Sequence, residues 1–351
     1  MIRKLLMLLQ GGLFLVGLLL AFAGWQQHLA LTQPLDLSEE RLLDVPAGAT
    51  PGGMLNRLEE QGVIHSAFWL RQYWRFNLSG QALHSGEYRM TPGMTAEGLL
   101  GLWQRADVVQ YSLTLVEGWN FRQLRAALAK QVKLEQTLAG ASDDEVMKRL
   151  GLEGQHPEGR FFPDTYRYVR GMRDTDLLRQ AHQRLEQVLD EEWQFRAQGL
   201  PYKDAYEALI MASMVEKETG VPEERGQIAG VFIRRLQQGM LLQTDPTVIY
   251  GLGERYTGKI TRAHLREATP YNTYVIAGMP PTPIAMVGRE AIHAALNPVE
   301  GKSLYFVARG DGSHVFSETL EAHNKAVREF QLNRRADYRS SPAPVSKKDT
   351  P

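Results

Sequence analysis

Met211-Ala-Ser-Met-Val-Glu-Lys-Glu-Thr219 is the stretch around which the rest of this chain can be read. It closes a run, Asp204–Thr219, that neither Gly nor Pro interrupts and that is rich in Leu, Ala, Met, Glu and Lys, so a helix is expected there. Asp204 suits the N-cap, Gly220 is the expected left-handed stop, and Pro222 suits the first turn of a second helix. Tyr206, Leu209, Ile210, Met211, Met214 and Val215 fall on nearly every side of the first helix, and a helix apolar almost all round is a buried one. Its last turn nevertheless carries Glu216 and Glu218. Carboxylates in such a place are either solvated helix-end charges or acids held in a cleft. Apolar cleft walls favour the protonated form, which is what a general acid needs. Two residues apart, the pair diverges by roughly 200° around the helix axis, so both cannot serve one catalytic point. Helix geometry alone does not choose between them.

The 351-residue chain is long enough for two or three modules with sizeable cores. Its formal net charge is zero and it has no Lys/Arg-rich run, which argues against a nucleic-acid partner. Cysteine is absent, excluding disulfides and thiol chemistry and suiting the periplasm. The sequence has no His/Cys/Asp cluster at metal-ligand spacing, no Gly-rich phosphate loop after a strand and no Gly-x-Ser-x-Gly elbow. Neither a metal nor a cofactor is therefore expected.

At the amino terminus Arg3 and Lys4 precede Leu5–Trp25, which is apolar except for Gln10 and its glycines. About 20 apolar residues span a bilayer, and the basic flank would hold this end in the cytoplasm. Ala21-Phe-Ala23 offers a signal-peptidase site, but signal cores run only about 7–15 residues. A retained anchor is expected, with Trp25 at the outer interface and the bulk of the chain exported.

Residues 26–40 read as a polar tether and 41–117 as a small module. In the module, strands are expected at Leu42–Val45, Glu87–Met90 and Tyr111–Val116, and helices after Thr50, Ser66 and Thr95. Beyond it, Asn120 caps a helix, Lys130–Gly154 is loosely helical with a cap at Ser142, and Gly159–Tyr168 reads as an ordered loop. Asp174–Trp193 has the 3.6-residue period of an amphipathic helix, and Val221–Gln238 forms another, stopped by Gly239. Gln243–Thr247 should break regular structure, which Val248–Tyr250 resumes before a loop-dominated surface over 251–283. A short helix over Arg289–Ala295, a hairpin of Ser303–Ala308 with Ser313–Phe316, and a last helix capped by Ser317 and running to Leu332 follow. Residues 333–351 have a disordered composition.

Several short motifs occur along this framework. They are Val116-Glu-Gly118, Glu158-Gly-Arg-Phe-Phe-Pro-Asp-Thr-Tyr166, Leu242-Gln-Thr-Asp-Pro-Thr-Val-Ile-Tyr-Gly251, Pro270-Tyr-Asn-Thr-Tyr274 and Gly278-Met-Pro-Pro281, followed by Leu304-Tyr-Phe-Val307, His314-Val-Phe-Ser317 and His323-Asn324. With Met211–Thr219 the set closely resembles the membrane-anchored endolytic murein transglycosylases, the YceG-like family, which cut the glycan strands of peptidoglycan. The resemblance covers nearly the whole chain in the family's order. It implies an α+β fold: a single transmembrane helix within 1–25, a LysM-like module at 41–117 and a larger catalytic domain at 118–332.

It also implies a site. A lytic transglycosylase can work with one Glu, which protonates the leaving oxygen and then takes a proton from the C6 hydroxyl of the same muramic acid, closing a 1,6-anhydro ring without water. The motif match puts that role on Glu216, with Glu218 as the secondary candidate. Gln243, Asp245, Tyr271, Asn272, Tyr274 and His314 are the implied substrate-binding residues. Each has a plainer reading: turn-building for Asp245 and Asn272, packing for the tyrosines, a hairpin hydrogen bond for His314. Glycan strands, the inner membrane and the peptidoglycan synthases are the implied partners, and ending nascent strands in the periplasm is the implied role. Two alternatives stay open: a non-catalytic glycan-binding scaffold, or a muramidase-type hydrolase using Asp245 as its second carboxylate.

Overall fold

In the computed structural model, residues 2–78 and 80–332 are described, and the expected tail at 333–351 lies outside them. The chain divides into two compact units. The smaller contains Met1–Ser112 with Val132–Glu135 and Arg167–Arg173; the larger contains Leu113–Gln131, Gln136–Tyr166 and Asp174–Pro351.

The smaller unit begins with α1 (Ile2–Thr32), 31 residues whose most apolar window has a mean hydropathy of 2.4 and no burial. It is long and apolar enough to cross a membrane, and it runs on past Trp25 because Gln26-Gln-His-Leu-Ala-Leu offers nothing that breaks a helix. β1 (Arg41–Val45) pairs antiparallel with β2 (Gly86–Met90), Leu43 opposite Tyr88. Around this ribbon lie α2 (Pro51–Glu60), α3 (Ala67–Asn77) and α4 (Ala96–Gln104). Their apolar stripes supply Leu55, Leu58, Leu70, Leu99 and Trp103 to one core with Tyr88 and Met90. Thr50 and Thr95 cap α2 and α4 as expected, but Ser66 makes no side-chain cap. The Ala67 N–H is taken instead by the Glu59 carboxylate at 3.1 Å.

Within this unit Glu87 is buried among Lys133 (2.7 Å), Arg170 (3.1 Å) and the Tyr111 hydroxyl. Burial pushes its carboxyl up, yet these partners outweigh burial and hold it below the ordinary range.

β3 (Tyr111–Thr114) and β4 (Thr165–Tyr168) form a second two-stranded ribbon. The loop expected over Gly159–Tyr168 thus ends as a strand, its alternating burial matching a half-covered pleat. The larger unit continues with α5 (Phe121–Ala129), capped by an Asn120–Gln123 box, and α6 (Asp143–Leu150), capped by Ser142. Of the loosely helical text over 130–154, only α6 is helical. Then come α7 (Asp174–Gln194), α8 (Ala205–Glu218), α9 (Arg225–Gln237), α10 (Asp245–Leu252), α11 (Arg289–Leu296), the antiparallel pair β5 (Tyr305–Ala308) and β6 (His314–Ser317), and α12 (Leu320–Val327) with a π-helical turn to Leu332.

α8 is the centre of this unit. Ala208 through Val215 are buried without interruption, packed against α7, α9 and α11. Small residues allow the close approach: Ala208 and Ala212 on α8, Ala291, Ala294 and Ala295 on α11. Ser213, the polar residue in the run, donates to the Ile210 carbonyl and accepts from the Ile284 N–H at 3.0 Å, so it leaves no unpaired hydroxyl.

Three local expectations are corrected. The helix does not stop on a left-handed Gly220; Thr219 turns extended (φ −141°, ψ 139°) and Gly220 is not among the residues with positive φ. Asp245–Leu252 is a continuous helix, because Thr244 takes the N-cap position and Pro246 in the first turn has no N–H to lose. Thr319 caps α12 in place of Ser317, which is committed to β6 opposite Tyr305.

Candidate active site

α8 delivers its two carboxylates to different places, as a 200° separation requires. Glu218 lies on the wall of a cleft of about 400 Å³ whose lining includes Gln243, Asp245, Tyr274, Phe306 and His314. Burial pushes its carboxyl up to about 7; a hydrogen bond from the Thr244 hydroxyl opposes this and the nearby Asp245 adds to it. Near neutrality such a group exists in both protonation states, so it can give a proton and take one back.

Glu216 is not in that lining. It accepts the Gly288 N–H at 3.2 Å, at the start of α11. Its carboxyl is also raised, first by burial and then by the charge of Glu117, against the pull of Gly288, Arg225 and Lys217. Glu117 lies so close that a Cβ on Gly288 would sit 2.0 Å from its carboxylate oxygen. Glu216 and Glu117 therefore make an acidic pair at the α11 terminus, and neither is in the lining of the Glu218 cleft.

The cleft is held in shape by groups the sequence reading did not single out. Thr244 N–H donates to Thr273 Oγ1 at 3.0 Å, and Thr247 Oγ1 meets both Thr273 Oγ1 (2.9 Å) and the Thr244 carbonyl (2.8 Å). This buried threonine network aims the Thr244 hydroxyl at Glu218. Arg235, almost fully buried on α9, donates to the carbonyls of Leu242 (2.8 Å) and Leu304 (2.6 Å), tying the segment just before Gln243 and the residue just before β5 to one helix. Gln243 has φ +54°, a left-handed conformation that costs a non-Gly residue energy and that gathers at functional sites. The threonines lie within Gln243-Thr-Asp-Pro-Thr247 and Tyr271-Asn-Thr-Tyr274, motifs the sequence does single out, whereas nothing in the sequence marks Arg235.

Of the six implied binding residues, Gln243, Asp245, Tyr274 and His314 come together around Glu218. The Tyr274 hydroxyl donates to Asp245 Oδ1 at 2.7 Å. Tyr271 is elsewhere, its hydroxyl 2.9 Å from Thr282 Oγ1 and its ring 4.8 Å from that of Tyr250. Asn272 is buried and fully engaged: it donates to the carbonyls of His264 (3.1 Å) and Glu267 (2.7 Å) and accepts from the Tyr274 N–H (3.0 Å). It builds the loop that carries Tyr274. Among the described residues, no group of three or more His, Cys, Asp or Glu side chains is disposed to hold a metal ion.

A second buried acid lies in the same unit. Glu158 accepts the Phe121 N–H at 2.9 Å at the start of α5, and burial pushes its carboxyl up to about 7.

Comparisons with known proteins agree with this architecture. Residues 43–329 match the sequence model described as the YceG-like family. A protein of Bacillus subtilis (strain 168) named endolytic murein transglycosylase is 29% identical over 343 residues, covering 92% of this chain and 91% of that one. A protein of the same name from Streptococcus pneumoniae (strain ATCC BAA-255 / R6) is 26% identical over 357 residues, covering 90% of this chain and 64% of its own length. In structure, a YceG-like protein of Listeria monocytogenes solved at 2.6 Å superposes with a TM-score of 0.54 at 30% identity, covering 82% of this chain and 99% of that one.

Proposed function

Because this chain belongs to the YceG-like family, we propose that it is an endolytic murein transglycosylase, cutting β-1,4 bonds within peptidoglycan strands to leave 1,6-anhydro-muramic ends. One observation carries the reading: a carboxyl raised to about 7, that of Glu218, on the wall of a cleft it shares with Gln243, Asp245, Tyr274 and His314. In this reading Glu218, rather than Glu216, is the acid. Protonated, it gives its proton to the departing glycosidic oxygen, since an alkoxide leaves poorly. As the carboxylate it faces the oxocarbenium-like centre, and the C6 hydroxyl of the same sugar closes on C1, its proton ending on Glu218 so that the acid is restored. Gln243, Asp245 and Tyr274 supply hydrogen bonds and a ring face for the sugars. Phe306 and Val307 give the cleft the apolar wall that keeps Glu218 raised.

α1 supports a membrane anchor, with the remaining chain in the periplasm where nascent strands are polymerised. The smaller unit is proposed as a LysM-like glycan-contacting module. Release of strands from the synthases, making this protein a terminator of polymerisation, follows from an endolytic cut beside the membrane.

The test compares Glu218→Gln with Glu216→Gln on purified glycan strands, with products read by mass spectrometry. Glu218→Gln should lose about 10²–10⁴-fold or more in turnover while thermal melts stay near wild type. Glu216→Gln should cut. The reverse pattern would return the acid to Glu216. Wild-type products ending in free reducing ends would instead make Asp245 the base of a hydrolase.

A further inference from the structure

The turn that follows Glu218 carries a second carboxylate with an unusual task. Thr219 leaves the helix extended, its Oγ1 accepts the Val221 N–H at 2.9 Å, and the short 3-10 turn Pro222–Glu224 brings Glu224 back toward β6. There Glu224 grips one residue twice. Oε1 accepts the His314 backbone N–H at 2.8 Å, and Oε2 is 2.7 Å from His314 Nδ1. Both side chains are largely buried, His314 at 8% and Glu224 at 12% exposure, so solvent does little to loosen the pair. The Phe306 ring meets the imidazole edge-on at 5.5 Å and fixes its plane.

A carboxylate on Nδ1 selects the tautomer with its proton on that nitrogen. Nε2 is then the ring nitrogen with a lone pair, on a residue that lines the Glu218 cleft. A hairpin tip needing only a hydrogen bond would be satisfied by the backbone contact. The second contact, on the ring, orients the imidazole.

Resting on the reading that Glu218 is the acid of a lytic transglycosylase, we propose that His314 is a second catalytic residue, whose Nε2 takes the proton of the attacking sugar hydroxyl, and that Glu224 is its positioning residue. The step balances. The C1–O4 bond breaks as the Glu218 proton passes to O4 of the departing sugar, the O6–C1 bond forms, and the O6 proton goes to Nε2. From there it returns through solvent to the Glu218 carboxylate, so no water is consumed. Glu224 holds the imidazole, and the charged or titratable side chains that share its cleft lining are Glu218, Asp245, Arg235, Tyr274 and His323.

The experiment uses the full chain in detergent on glycan strands, comparing wild type with His314→Gln, His314→Phe and Glu224→Ala, alongside nitrogen-15 spectra of the histidine rings. Gln can accept a hydrogen bond from the sugar but cannot take its proton. His314→Gln should therefore fall by about 10²–10⁴-fold in kcat with little change in KM, as should His314→Phe. Glu224→Ala should lose a smaller factor in kcat, and its His314 ring should leave the single Nδ1–H tautomer seen in wild type. Near-wild-type kcat in His314→Gln would overturn the proposal. So would a wild-type ring protonated on Nε2, a measurement that does not depend on any variant folding. Failure of wild type itself to release anhydro ends would instead sink the transglycosylase reading, so the two failures are distinguishable.

Discussion

Replacing Thr244 by Val removes one hydroxyl and keeps the shape of a side chain that is 1% exposed. In wild type that hydroxyl donates to the Glu218 carboxylate, stabilising the ionised form against a burial that otherwise favours the acid. A hydrogen bond to a charged group is worth about 1.5–3 kcal/mol, and about 1.4 kcal/mol corresponds to one pH unit, so its loss should raise Glu218 by about 1–2 pH units. The sign follows from the proposed role. Glu218 works as an acid, so the falling limb of kcat/KM should come as pH rises through about 7, where wild-type Glu218 ionises. In Thr244→Val the fall should move upward by the same about 1–2 pH units. Thr244→Ser, which keeps the donor, should fall where wild type does. The backbone of residue 244, with its N–H on Thr273 and its carbonyl under Thr247, is untouched by either change. The assay is kcat/KM for strand cleavage across pH, with a melt at each pH to exclude unfolding. A Val variant that is folded, active and falls at the wild-type pH would refute the reasoning, because the group that titrates would then not be the one Thr244 touches.

Two further perturbations test the frame around the site. Glu158 is raised from 4.5 to about 7 by burial, so stability linked to its protonated form is fully present below 4.5 and lost as pH rises through about 7. That gap is worth about 3 kcal/mol, and Glu158→Gln, which keeps an acceptor for the Phe121 N–H, should melt higher than wild type at pH 8 and lose the advantage near pH 4.5. Gly230 lies inside α9, where Ala would ordinarily add about 0.5–1 kcal/mol, but a Cβ there would sit 2.6 Å from the Val299 carbonyl oxygen. Gly230→Ala should therefore destabilise by about 1–3 kcal/mol, seen as a lower Tm with the fold retained; a raised Tm would mean that the Val299 segment yields freely.

Much of this protein is legible in its sequence, for reasons that are local. An unbroken run of helix formers, apolar on every side, has to be a buried helix, and α8 is one. Thr50, Thr95, Asn120, Ser142 and Asp204 cap where their side chains can reach the N–H three residues on. The apolar amino-terminal segment and the divergence of Glu216 from Glu218 also follow from composition and helical geometry. What local chemistry does not contain is which side of α8 faces the cleft. That depends on residues 25 to 96 positions away in the chain, Gln243, Asp245, Tyr274, Phe306, Val307 and His314, packing on the Glu218 side. Glu117 and Gly288 approach Glu216 by an equally non-local route. Thr244, Arg235 and Glu224 are not individually singled out by any sequence pattern; only the packed neighbours turn them into a donor to the acid, a buried brace and a grip on an imidazole. Burial and long-range contacts decide a carboxyl's proton affinity, so the choice between two glutamates two residues apart belongs to the tertiary structure.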